Sequence, residues 1–138
     1  MDLAVVYPVY NEVDFIRETA EKTAKFLKQS GFEDWKIVFV TDNCTDGTEK
    51  LAEKLDEEME EVIHLGFSER LGKGLAFEKA FYSLNAEKFI YSDVDLSTDL
   101  KHIKDAVYHI GNGKDIAVGS RRKDTSTKRS FMREIPSI

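Results

Sequence analysis

Apolar positions along this chain fall into short continuous runs separated by longer stretches of helical period. Leu3-Ala4-Val5-Val6-Tyr7 is a run stopped by Pro8, and it predicts a buried strand. Lys36-Ile37-Val38-Phe39-Val40-Thr41, Val62-Ile63-His64-Leu65, Lys88-Phe89-Ile90-Tyr91 and Asp115-Ile116-Ala117-Val118 predict four more. Between the first two, Phe15, Ile16, Ala20, Thr23, Phe26 and Leu27 share one helical face. Asp14 is placed to cap that helix and Gly31 to close it. Asp46-Gly47-Thr48-Glu49 has the spacing of a capping box and predicts a helix to about Leu55. Asp56 to Glu61 holds five acidic residues in six and predicts a solvated turn. Helices are also expected over Gly72–Leu84 and Leu100–Ile110, the latter closed by Gly111.

Strands alternating with helices, the strands near-continuously apolar, predict an α/β fold with a mostly parallel sheet covered on both faces. In such sheets ligands bind beyond the carboxyl ends of the strands, where strand order reverses. Polar clusters stand at those ends: Pro8–Glu12, Asp42–Thr48, Ser68–Gly74, Asp93–Ser97 and Gly119-Ser120-Arg121. Five polar loops on one rim point to a site.

The 138 residues suffice for one domain, expected over 1–138. Net charge is −6, but residues 120–138 carry six basic groups against two acidic ones. That segment is +4, which leaves −10 on the remainder. An acidic body argues against non-specific nucleic-acid binding. The basic stretch suits a phosphate, a diphosphate or an anionic membrane surface, and equally a solvated tail. The single cysteine, Cys44, rules out an intrachain disulfide and fits a reducing compartment. No apolar run approaches the ~20 residues that span a bilayer. A cytoplasmic protein is expected, with peripheral contact at the cytoplasmic face of the membrane.

Asp93-Val94-Asp95 follows a predicted strand, and residues two apart in extended chain face the same way. Two carboxylates so placed make a hard oxygen site for Mg²⁺ or Mn²⁺. Such an ion keeps open positions for phosphate oxygens, so a diphosphate ligand is implied. A bare pair of this kind also arises in ordinary Asp-rich turns. Pro8-Val9-Tyr10-Asn11-Glu12 offers a ring and polar edges to a nucleoside, or is a capped loop. Asp42 has no evident capping task and is free to accept from a base N–H. Arg70-Leu71-Gly72-Lys73-Gly74 is no Walker loop, because five residues separate Gly66 from Gly72 and Gly74 stands where Ser or Thr is required. Its backbone N–H groups, with Arg70 and Lys73, still suit an anion. No Gly-rich fingerprint follows the first strand, which disfavours a dinucleotide-binding dehydrogenase. His64, His102 and His109 are isolated in sequence and read as surface or half-buried residues rather than ligands.

In order and spacing, Pro8–Glu12, Asp42 with Thr45–Thr48, Arg70-x-Gly72-x-Gly74, Asp93-Val94-Asp95 and Gly119-Ser120-Arg121 resemble glycosyltransferase family 2 of the GT-A fold. Tyr91–Ser97 and the basic stretch are most similar to the polyprenyl-phosphate sugar transferases, such as dolichyl-phosphate mannose and glucose synthases. The resemblance implies a nucleotide-sugar pocket of Pro8, Tyr10, Glu12, Val40, Asp42, Asp93, Val94, Ser97 and Arg121. It also implies Asp93, Asp95 and Ser97 at a Mg²⁺ or Mn²⁺ ion, with Asp93, Asp95 and Arg121 as catalytic residues. The implied reaction moves a hexose, with inversion, from a GDP- or UDP-sugar to a polyprenyl phosphate. The family's domain is longer than this chain, so a fold incomplete at the C-terminus is expected. The alternative is a catalytically incomplete nucleotide-sugar-binding module or truncated gene product.

Overall fold

Four of the expected strands pair in parallel. They are β1 (Leu3–Val9), β2 (Trp35–Asp42), β3 (Val62–Phe67) and β4 (Lys88–Tyr91), in the order β3-β2-β1-β4. The computed structural model describes residues 1–97, 99–112, 116–119 and 132–135. The chain divides into two units, Met1–Thr98 and Asp99–Ile138.

In the first unit all seven residues of β1 are buried, as a central strand requires. Its even positions Ala4 and Val6, with Val38 and Val40 of β2, pack on Ala76 and Ala80 of α3 (Lys73–Ser83). On its other face Tyr7 meets α1 (Ile16–Gln29), and α2 (Thr48–Glu58) packs beside α1 and β2. There the Tyr7 and Phe39 rings stack with centroids 5.7 Å apart, and Tyr7 Oη lies 2.7 Å from Thr23 Oγ1 of α1. Tyr7, Phe39, Ile16, Leu27, Ile37 and Leu55 are fully buried, each contributing about 1.5–3 kcal/mol by leaving water.

Several local expectations are corrected. Pro8 does not end β1, which runs through it to Val9. The Val6 carbonyl accepts from Ser92 N at 3.1 Å, just past the end of β4. Pro8, two residues on, turns toward the side that β4 has already left, so its lack of an N–H breaks no rung. Asp14 does not cap α1. Phe15 stands at the cap, and the Glu12 carbonyl accepts from Phe15 N at 2.9 Å. Gly31 does close α1, at φ 81°, with Gly31 N on Lys28 O and Phe32 N on Leu27 O. Gly47, at φ 91°, takes the cap position of α2, and the Asp46 carboxylate accepts from Thr48 N, the first donor of the helix, at 3.0 Å. α2 also runs on to Glu58, into the acidic stretch expected as a turn, and the Asp56 carboxylate accepts from His64 N at 2.8 Å.

The second unit holds α4 (His102–Gly111), β5 (Ile116–Gly119) and β6 (Met132–Ile135). β5 pairs antiparallel with β6, from Ile116 opposite Ile135 to Gly119 opposite Met132. The expected fifth strand therefore exists, paired antiparallel rather than parallel in its own two-stranded sheet. No helix among the described residues is long and apolar enough to cross a membrane.

Candidate functional site

Chain order runs β1, β2, β3 outward to one edge, and β4 then returns to the other side of β1. Strand order thus reverses between β1 and β4, and a cleft of about 210 Å³ opens at their carboxyl ends. It is lined by Pro8, Val9, Tyr10, Glu12, Asp42, Arg70, Lys73, Asp93, Val94 and Asp95. Four of the five polar clusters meet there. The fifth, with Ser120 and Arg121, includes residues outside those described, so the expected roles of Arg121 fall there too.

The acidic pair reaches the cleft by a turn, not by extended spacing. The chain leaves the sheet after Tyr91, and Leu96 N donates to Asp93 O at 3.1 Å. Ser97 N donates to Asp95 Oδ1 at 3.0 Å. Leu96 sits at φ 54°, a left-handed conformation that costs a side-chain-bearing residue about 1 kcal/mol. The turn is tied back to α1, because the Thr19 hydroxyl donates to the Val94 carbonyl. Both residues are buried. Asp93 also accepts from the Lys73 ammonium at 3.0 Å. That bond is the main reason the Lys73 ammonium titrates above its ordinary range.

Asp42 is buried at the end of β2, and its oxygens are already engaged. One accepts from Leu71 N. The other accepts from Arg70 Nη1 and, at 2.9 Å, from Gly72 N. Its evident work is to fold the 70–72 loop, where Gly72 adopts φ 79°. That loop lays the Arg70 guanidinium 3.7 Å from the centroid of the Tyr10 ring. Arg70 and Lys73 were legible in sequence only as charge near a helix start. Their partners lie 28 and 20 residues away, beyond any local pattern.

The first loop is stitched to the second. Asn11, at φ 51°, accepts from Thr45 N at 2.8 Å, and Glu12 N donates to Thr48 Oγ1 at 3.0 Å. Glu12 titrates above its ordinary value of 4.5, because burial and then the charge of Asp95 disfavour its ionised form; Lys73 opposes the shift. Two expected site residues stand apart. Val40 is fully buried against α3 and does not line the cleft. Ser97 is exposed and is not among the lining residues.

Among the described residues no group of three or more His, Cys, Asp or Glu could enclose a metal ion. Asp93 and Asp95 would instead supply the one or two carboxylates with which Mg²⁺ or Mn²⁺ is commonly held when phosphate oxygens and water complete the shell. The donor set therefore fits a cation shared with a diphosphate and does not fit an all-protein cage.

Comparison with known proteins agrees with this geometry. The sequence profile of Glycosyl transferase family 2 matches residues 4–137, and the chain belongs to that family. Glycosyltransferase AglD of Haloferax volcanii is 34% identical, over 99% of this chain and 22% of its own length. Dolichyl-phosphate beta-glucosyltransferase of Saccharomyces cerevisiae is 29% identical, over 95% of this chain and 45% of its own. Dolichol-phosphate mannosyltransferase of Pyrococcus furiosus is also 29% identical, over 88% of this chain and 33% of its own. The chain thus spans less than half the length of these relatives. Among solved structures, the mannosyltransferase PcManGT of Pyrobaculum calidifontis, in complex with GDP-Man and Mn²⁺, superposes with a TM-score of 0.68 at 22% identity. It covers 88% of this chain and 35% of its own. The S. aureus protein TarS, in complex with UDP-GlcNAc, gives 0.65 at 22% identity, over 99% and 37%. These likenesses establish the GT-A architecture.

Proposed function

We propose that the cleft binds the nucleotide-diphosphate end of a GDP- or UDP-sugar with Mg²⁺ or Mn²⁺, and that the protein transfers the hexose, with inversion, to a polyprenyl phosphate. The observation that carries this is the meeting of Tyr10, Glu12, Asp42, Asp93 and Asp95 at the switch point of the sheet. Tyr10, with Arg70 on its ring, offers a stacking surface to a base. Asp93 and Asp95 would hold the cation, which when bound neutralises the leaving diphosphate. The acidic turn would orient the diphosphate beside them. A lipid phosphate is ionised before it attacks, so this chain need supply no strong general base. Relatives named for dolichyl-phosphate and dolichol-phosphate transfer support that acceptor. In this reading the protein works at the cytoplasmic face of a membrane. Arg121, in the basic stretch, is assigned to the diphosphate or the incoming lipid phosphate.

Thermal unfolding with millimolar Mn²⁺ and GDP, and separately UDP, tests the donor site. A rise in Tm with one nucleotide is expected by mass action. No rise with either, under either metal, would overturn the assignment. Transfer of radiolabelled sugar to dolichyl phosphate tests the reaction. Nucleotide binding without transfer would mark this chain as a donor-binding module.

A further inference from the structure

The cleft is lined by four carboxylates, Glu12, Asp42, Asp93 and Asp95, and two cations, Arg70 and Lys73. Arg70 is committed to the buried Asp42 carboxylate and to the face of Tyr10. Lys73 is placed differently. It is the first residue of α3, its side chain is 69% exposed, and its ammonium lies 3.0 Å from Asp93 Oδ1. Asp93 is the confined partner, with a side chain only 18% exposed. A flexible, hydrated lysine paired at a surface is weakly held and readily changes partner.

Resting on the donor-site reading above, we propose that Lys73 is a resident counter-ion for the acidic turn, which it yields when cation and diphosphate enter together. Without nucleotide, the ammonium occupies an Asp93 oxygen that a divalent ion would use. The two cations also repel one another at this range. A diphosphate reverses the balance by adding negative charge on the cation side of the turn, and Lys73, held only by an exposed pairing, can swing to meet it. Metal and nucleotide binding are thereby coupled through one side chain, each raising affinity for the other.

The proposal makes effects of opposite sign. In the chain carrying Lys73→Met, Mn²⁺ alone, followed by the electron paramagnetic resonance of the free ion, should bind about threefold to tenfold more tightly. GDP or UDP titrated by calorimetry at saturating Mn²⁺ should bind about threefold to tenfold more weakly. Lys73→Arg keeps the charge and should match the unaltered chain in both titrations. Unchanged or weaker binding of Mn²⁺ alone to Lys73→Met would overturn the proposal, as would unchanged nucleotide binding. So would Lys73→Arg behaving like Lys73→Met, since shape rather than charge would then be responsible. An unaltered chain that binds neither nucleotide would instead overturn the donor-site reading and remove the basis of the proposal with it.

Discussion

Replacing Thr19 by Val isolates the bond that ties the acidic turn to α1. Valine keeps the β-branch and nearly the volume, and its helix propensity differs from that of Thr by a few tenths of a kcal/mol at most. What is lost is the hydroxyl that donates to the Val94 carbonyl, between two residues that are 2% and 5% exposed. Leaving a buried carbonyl without its donor costs about 1–3 kcal/mol, and the new buried methyl offsets some of that. A net loss of about 1–2 kcal/mol in unfolding free energy is therefore expected, read from urea denaturation at constant slope. Because the bond holds the carbonyl between Asp93 and Asp95, affinity for Mn²⁺ with GDP or UDP should fall about threefold to tenfold as well. Thr19→Ser separates the two effects. It removes a buried methyl, at about 0.8 kcal/mol, but keeps the donor. Serine should thus lose stability while binding the metal–nucleotide pair like the unaltered chain. Wild-type stability and wild-type affinity in Thr19→Val would refute the reasoning, as would equal losses of affinity in Val and Ser.

Three further predictions concern the same unit. Asp42→Ala strips a buried carboxylate from three donors and should cost about 2–5 kcal/mol in urea denaturation; a loss below about 0.5 kcal/mol would mean the 70–72 loop stands without it. Burial pushes the Tyr7 phenol up to about 12, so it donates or accepts as a neutral group at any ordinary pH. Tyr7→Phe should cost about 1 kcal/mol, and a cycle with Thr23→Val should show coupling between the pair, whereas additive losses would contradict the shared bond. Glu12 has its pKa raised in the folded chain, so the fold favours the protonated form and loses stability as pH rises through the raised pKa, above the ordinary 4.5. Glu12→Gln should flatten this decline and raise Tm at pH 7 in metal-free buffer; a parallel pH profile in the two chains would count against the assignment.

How far the sequence carried these conclusions depended on the range of the interactions. β1 and β2 were legible because strands buried on both faces must be apolar throughout, and every residue of β1 is buried. The closing of α1 at Gly31 was legible because a left-handed residue there leaves few choices. The partner of β5 was not legible. A four-residue apolar run says that it is a strand, and not what it pairs with. Met132–Ile135 has two charges in four residues and no period by which β6 could be seen. The five polar loops were found because strand ends are local features. Their wiring was hidden, since Thr19 and Val94 are 75 residues apart and Asp42 and Arg70 are 28. Asp42 looked uncommitted in sequence for that reason alone. Val40 was assigned to the pocket by resemblance, but strand alternation turns it, with Val38, toward Ala76 and Ala80.

The ring of Pro8 has a consequence beyond β1. Parallel strands propagate by adding a donor and an acceptor in turn. At Pro8 the next donor toward β4 is absent, so the zipper halts beside Ser92. An amide there would offer the Ser92 carbonyl a partner. Where the chain turns from the sheet into the cleft, β1 thus offers it no further donor.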